Sequence, residues 1–184
     1  MIMEAMRMKA VMAWTSLALL LLAGCAGPGV EQYREEKPVL DLATYFNGTL
    51  DAWGIVRNRS GKVTKRFHVE MTGKWQGGNG TLEEDFTYAD GSKSRRVWNV
   101  TKIDANHYRG TAADVVGEAV GEARGNALQW RYVLAVPVDG KIYNVDFDDW
   151  MYLMDDEVML NKSGMSKFGI GIGEVIVTFR KRNA

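Results

Sequence analysis

In Phe67-His68-Val69-Glu70-Met71-Thr72-Gly73-Lys74-Trp75 every odd position is apolar or glycine and every even one is polar. A repeat of two is the geometry of a β-strand with one face in a core and the other in water. The same alternation recurs downstream. Leu82, Phe86 and Tyr88 alternate with Glu83, Asp85 and Thr87. Leu128, Trp130, Tyr132, Leu134 and Val136 share a face opposite Gln129 and Arg131, and Val175, Val177 and Phe179 alternate with Thr178 and Arg180. No window of comparable length repeats at 3.6, although residues 161–168 have room for one helical turn.

Turn signals punctuate these runs at a regular beat. They include Asn58-Arg59-Ser60-Gly61, Gly77-Gly78-Asn79-Gly80, Asp90-Gly91, Arg124-Gly125-Asn126, Asp139-Gly140 and Asp155-Asp156. Asp-Gly and Asn-Gly supply the positive φ angles of tight hairpins. One-sided strands joined in sequence order predict an antiparallel sheet. About eight to ten of them in one small domain remove their exposed edges by closing into an up-and-down β-barrel of lipocalin type. A two-sheet sandwich is the alternative.

The chain ahead of these strands reads as an address. Arg7 and Lys9 precede the apolar run 10–22, which is of signal-peptide length and too short to span a bilayer as a helix. The run ends in Leu22-Ala23-Gly24-Cys25, which looks like a lipobox, with cleavage expected between Gly24 and Cys25 and acylation of the Cys25 thiol. The organisation expected is therefore a signal peptide over 1–24, a lipidated tether over 25–39 and a barrel over 40–184. Two or three acyl chains would hold the protein durably on a membrane. Ala26 stands where lipoproteins kept at the inner membrane carry aspartate, which points to the periplasmic face of an outer membrane.

Of 23 basic and 23 acidic residues, 21 and 22 remain once Arg7, Lys9 and Glu4 of the leader are set aside, a net charge of −1. A chain so balanced, with no basic patch, excludes a nucleic-acid partner. Cys25 is the sole cysteine, so no intrachain disulfide forms. His68 and His107 lie far apart without neighbours at ligand spacing, and no metal or other cofactor is expected. Nucleophile-elbow and Walker patterns are absent.

The charged residues worth following are those on apolar faces. In Val145–Gly164, VDFDDWMYLMDDEVMLNKSG, Asp155-Asp156 fall where a hairpin turns, and Asp146 and Asp148 alternate with core positions. Asp149 shares parity with Val145, Phe147 and Met151, so it points inward. Glu84 lies between Leu82 and Phe86, and Arg96 shares a face with Trp98 and Val100. A buried charge costs several kcal/mol unless paired. Glu84, Arg96 and Asp149 are therefore expected to meet inside the barrel or at its mouth, as an ion pair or as a holder for an acidic head group. A three-residue turn at Ala89-Asp90-Gly91 sets Glu84 against Arg96, whereas a two-residue Asp-Gly turn sets Asp85 there. The remaining candidate wall is Trp75, Phe86, Trp98, Trp130, Tyr132 and Trp150, of which Trp150 has the opposite parity to Asp149. Small residues at Gly117, Ala119, Gly121 and Ala123 leave room beside their strand.

TYFNGTLDAWGIV, GTLEEDFTYADGSKSRRVWNV, YRGTAADVVGEAVGEARGNALQWRY, VDFDDWMYLMDD and MSKFGIGIGEVIVTFRK, spanning much of residues 40–181, resemble the small bacterial lipoproteins grouped as domain of unknown function 3833. The resemblance implies an envelope lipoprotein with a lipid-handling role and carries over no catalytic residue. The function expected is a membrane-anchored barrel that binds a hydrophobic or amphiphilic molecule, such as palmitate or a lipid. One alternative is a structural or assembly lipoprotein acting through protein contacts. Another is a hydrolase or isomerase using Glu84 or Asp149 as a base.

Overall fold

A computed structural model describes residues 29–182. The expected signal peptide and Cys25 lie outside the described residues. Ten strands follow one another: β1 (Gly48–Asn58), β2 (Val63–Gln76), β3 (Asn79–Tyr88), β4 (Lys93–Lys102), β5 (His107–Thr111), β6 (Ala119–Arg124), β7 (Ala127–Val138), β8 (Lys141–Leu153), β9 (Val158–Lys167) and β10 (Ile170–Lys181). Each pairs antiparallel with its sequence neighbours, and β1 pairs with β10, so the sheet closes into an up-and-down barrel. Closure leaves neither of its ends with a free hydrogen-bonding edge. The residues with room for a helical turn lie mostly in β9, where Asn161 and Ser163 alternate inward with Met159.

The two ends of the barrel differ. The β2–β3, β4–β5, β6–β7 and β8–β9 turns share one end with the incoming chain, and that end is plugged. Helix α1 (Leu42–Tyr45), capped by Asp41 on the Thr44 amide, buries Leu42 and Tyr45, and Phe46 follows them inward. At Gly73 the Phe46 carbonyl oxygen lies 1.6 Å from where a Cβ would stand, so only glycine admits the plug. Above it Leu50, Val69, Met71, Leu82, Val100 and Leu128 pack into the core.

The segment expected to be a tether joins this packing from Val30 onward. A 3-10 helix, Val30–Tyr33, buries Val30, and Tyr33 sets its ring 6.1 Å from Trp150 and 5.4 Å from Tyr152. Glu31 bonds Arg124, and the Leu40 amide donates to Gly125 O at 2.8 Å. Aromatic burial and these bonds outweigh the polarity that made the stretch read as free.

At the other end the β1–β2, β3–β4, β7–β8 and β9–β10 hairpins surround an open mouth. Strands β5 and β6 are short, so the upper halves of β4 and β7 have no strand partner on the sides that face each other. Residues 112–118 fill that seam: Val115 bridges Leu134, the Val116 amide donates to Val133 O, and the Ala135 amide donates to Asp114 O.

Candidate ligand-binding cavity

Between plug and mouth the barrel encloses a cavity of about 270 Å³. Its wall is mostly apolar, with Phe67, Phe86, Trp98, Trp130, Tyr132 and Phe147 among its large rings. The rings brace one another. Tyr132 stacks on Phe147 at 5.1 Å with planes 13° apart and meets Trp98 edge-on at 5.4 Å. Such braced rings keep a hollow open without ordering flexible chains.

A polar belt crosses this wall at mid-height. The β3–β4 hairpin uses the three-residue turn, with Gly91 at φ 83°, so Glu84 stands directly opposite Arg96. Arg96 Nη1 lies 3.8 Å from Glu84 Oε2. Its better-formed bonds go elsewhere: Nε and Nη2 fork onto Asp114 at 3.1 and 2.7 Å. Parity gives no access to Asp114, because it sits in the seam loop rather than on a strand. The guanidinium is thereby already paired within the protein. Burial works against the Arg96 charge, but the Asp114 hydrogen bonds and Glu84 raise its pKa overall.

Asp149 enters from β8, inward as its parity requires, and is only 6% exposed. Tyr132 donates to Asp149 Oδ2 at 3.3 Å, while Oδ1 is buried without a hydrogen-bond partner. Ser163 faces Asp149 across the β8–β9 ladder, but its hydroxyl donates to Asn161 Oδ1 at 3.2 Å. Turned toward Asp149, that hydroxyl would favour the carboxylate.

Burial pushes the Glu84 carboxyl up to about 7, opposed by Arg96 and reinforced by Asp114 and Asp149. Burial likewise pushes Asp149 to about 7, opposed by the Ser163 and Tyr132 hydroxyls and reinforced by Asp148. Burial, with Asp149 beside it, holds the Tyr132 phenol well above its usual value. The belt thus combines one neutralised cation with two carboxyls poised between charged and neutral near pH 7. It can donate and accept hydrogen bonds within a mostly apolar wall.

Seven candidate residues line this cavity: Glu84, Phe86, Arg96, Trp98, Trp130, Tyr132 and Asp149. Trp75 does not, because it lies below the level of Gly73 where Phe46 blocks the lumen, and its indole covers Gly80 across the ladder. Trp150 does not either. Its neighbour Asp149 takes the inward position, so Trp150 points out and packs against Tyr33 and Tyr152. The room expected beside β6 is also occupied. The Trp130 indole fills it, lying 2.2 Å from where a Cβ on Gly121 would stand and 2.7 Å from one on Gly110. Phe67, Asn161 and Ser163 line the cavity without having been singled out as candidates, although Phe67 opens the alternating stretch that gave the fold.

Outside the cavity, Asp148 of β8 and Asp155 of the β8–β9 turn have ordinary roles. Asp148 accepts from Gln129 and Arg131 on the outer wall. Asp155 caps its turn, its Oδ1 accepting from the Glu157 and Val158 amides at 2.8 and 2.7 Å.

Fold and cavity define a closed calycin-like barrel, plugged at one end and hollow at the other. The chain belongs to the family described as protein of unknown function, DUF3833, whose model matches residues 19–181. Among solved structures, an S-type phycobiliprotein lyase from Guillardia theta shares the fold. The match covers 85% of this chain and 99% of that one, at 7% identity and a TM-score of 0.59. A redesigned beta barrel aligns over 77% of this chain and 95% of its own, with 13% identity and a TM-score of 0.42. A comparison with curated proteins gives no match.

Proposed function

We propose that the barrel binds one small amphiphile through its open mouth. The observation that carries this reading is the apolar cavity crossed by a polar belt, with Asp149 Oδ1 buried and unpartnered on its wall. Apolar hollows with a few convergent polar groups suit such ligands. A buried acceptor without a partner is costly enough that a ligand hydrogen bond there contributes to affinity. With Arg96 held by Asp114, the preferred head group is neutral: a hydroxyl, an amide, or a fatty acid in its protonated form. The volume sits just below the usual range for drug-sized ligands, so a long acyl chain extends out past Phe67 and Val175 at the mouth.

The lipobox pattern supports the rest of the reading. In this view residues 1–24 are removed, Cys25 carries acyl chains, and the protein resides in the cell envelope, on the periplasmic face of an outer membrane. No catalytic constellation is assigned, and the belt binds rather than reacts. The test is to purify the protein from a bacterial host, extract it with organic solvent under denaturing conditions, and analyse the extract by mass spectrometry. A stoichiometric amphiphile supports the reading; an empty extract together with no uptake of added fatty alcohols or acids ends it.

A further inference from the structure

The mouth carries apolar side chains that neither the fold nor the cavity uses. Phe168 is 88% exposed at the tip of the β9–β10 hairpin, and Ile142 is 72% exposed on the neighbouring β7–β8 hairpin. Val138, Ile170 and Ile172 stand exposed beside them. Large apolar side chains grouped at the rim of an opening mark a contact surface.

Phe168 also carries backbone strain. It adopts φ 52° ahead of Gly169 at 75°, the conformation of a tight two-residue hairpin turn. The equivalent turn in the neighbouring hairpin uses Asp139-Gly140, which suits that backbone. A bulky aromatic in the left-handed region is strained, and such strain persists where another requirement holds the residue in place. Core packing is not that requirement, since the ring stands in solvent, touched by the Lys167 ammonium at 4.7 Å.

Charge supplies the identity of the partner. The four hairpin tips around the mouth present Arg59, Lys62, Lys93, Lys141 and Lys167 against Asp90 and Asp139. Apolar fingertips flanked by lysines match a bilayer bearing anionic headgroups, with the tips in the acyl boundary and the ammonium groups among phosphates. Separate projecting tips also need no shaped groove opposite them, which a fluid interface does not provide.

We propose that the mouth of the barrel docks onto an anionic lipid surface through the Phe168 and Ile142 hairpins, opening the cavity directly to lipid. The inference stands on the rim alone and does not require the cavity to be filled. The described chain begins at the plugged end, so an anchor at Cys25 would hold that end, the bilayer met by the mouth would be a second one, and labels at the two ends separate them.

The experiment uses the full chain with Cys25→Ser and one new cysteine carrying an environment-sensitive fluorophore, at Val138→Cys on the rim or Asp156→Cys at the plugged end. Vesicles of phosphatidylcholine mixed with phosphatidylglycerol are compared with phosphatidylcholine alone. The rim label should blue-shift on the mixed vesicles, shift less on the neutral ones, and lose the effect as salt rises. The plugged-end label should stay in water. Adding Phe168→Asp with Ile142→Asp should weaken the response about tenfold or more, with the β-sheet circular dichroism unchanged. The proposal is overturned if the rim label stays in water with both vesicles, if both labels shift together through the leader, or if the rim label shifts without vesicles as the protein dimerises. If the double variant misfolds, Phe168→Ser alone takes its place, and an undiminished shift in it overturns the role of the tip.

Discussion

Glu84 and Arg96 face each other across the β3–β4 ladder, 3.8 Å apart, yet Arg96 makes its hydrogen bonds to Asp114 in the seam loop. One cation therefore serves two carboxylates and stitches the loop over residues 112–118 onto β4. Burial keeps the Glu84 carboxyl well above the usual range, and the Arg96 charge opposes it only in part.

Removing that cation exposes the arrangement. Arg96→Met leaves Glu84 buried beside Asp114 without a counter-charge, so the carboxyl should shift further upward. Destabilisation of about 2 kcal/mol is expected at pH 8, less at pH 5 where Glu84 is neutral. Urea unfolding at both pH values measures it, and an equal loss at both would show that Arg96 acts only by packing.

Stability should fall as the solution becomes alkaline. Glu84 and Asp149 have folded-state pKa values near 7, above their ordinary 4.5 and 3.8. The folded state therefore holds these protons more tightly than the unfolded chain. Their contribution is full below about pH 4 and is lost as pH rises through 7. Glu84→Gln and Asp149→Asn should each stabilise the protein at pH 8, by on the order of 1–3 kcal/mol. Each should also flatten the melting temperature between pH 5 and 8, as read by differential scanning calorimetry. An unchanged slope would show the carboxyls to be solvated.

Gly121 is where the Trp130 ring needs the absence of a side chain. Gly121→Ala should cost about 1–3 kcal/mol through overpacking. Its tryptophan emission should shift to the red as the indole is displaced. Wild-type stability in this variant would contradict the position of the ring.

Phe46 closes the lumen at the plugged end. Phe46→Ala should cost about 3–5 kcal/mol by opening a void against Phe179, its edge-on neighbour at 5.7 Å. Thermal unfolding measures the loss.

Much of this was legible in the alternation itself. Parity placed Glu84, Arg96 and Asp149 inside, because a strand reverses its faces at every residue and a buried face tolerates no slip. The turn at Gly91 was open between two lengths in the sequence, and the longer one fixed the Glu84–Arg96 register. Asp114 was not legible, since it reaches Arg96 from a loop with no period, 18 residues along the chain. The filling of Gly121 by Trp130 depends on which neighbouring strand leans over it, and the packing of Tyr33 on Trp150 joins segments with no shared pattern. Volumes and long-range aromatic contacts are properties of the closed barrel rather than of any one stretch.

Entry of an amphiphile into the hollow can be followed by tryptophan quenching. Trp98 and Trp130 line the cavity, while Trp53, Trp75 and Trp150 lie away from it. A fatty alcohol brominated along its chain should quench emission saturably at one equivalent. The saturable part should shrink in Trp98→Phe but persist in Trp150→Phe. Absence of saturable quenching by brominated fatty alcohols and by brominated fatty acids at pH 5 and 8, in a folded protein freed of endogenous lipid, would contradict the account.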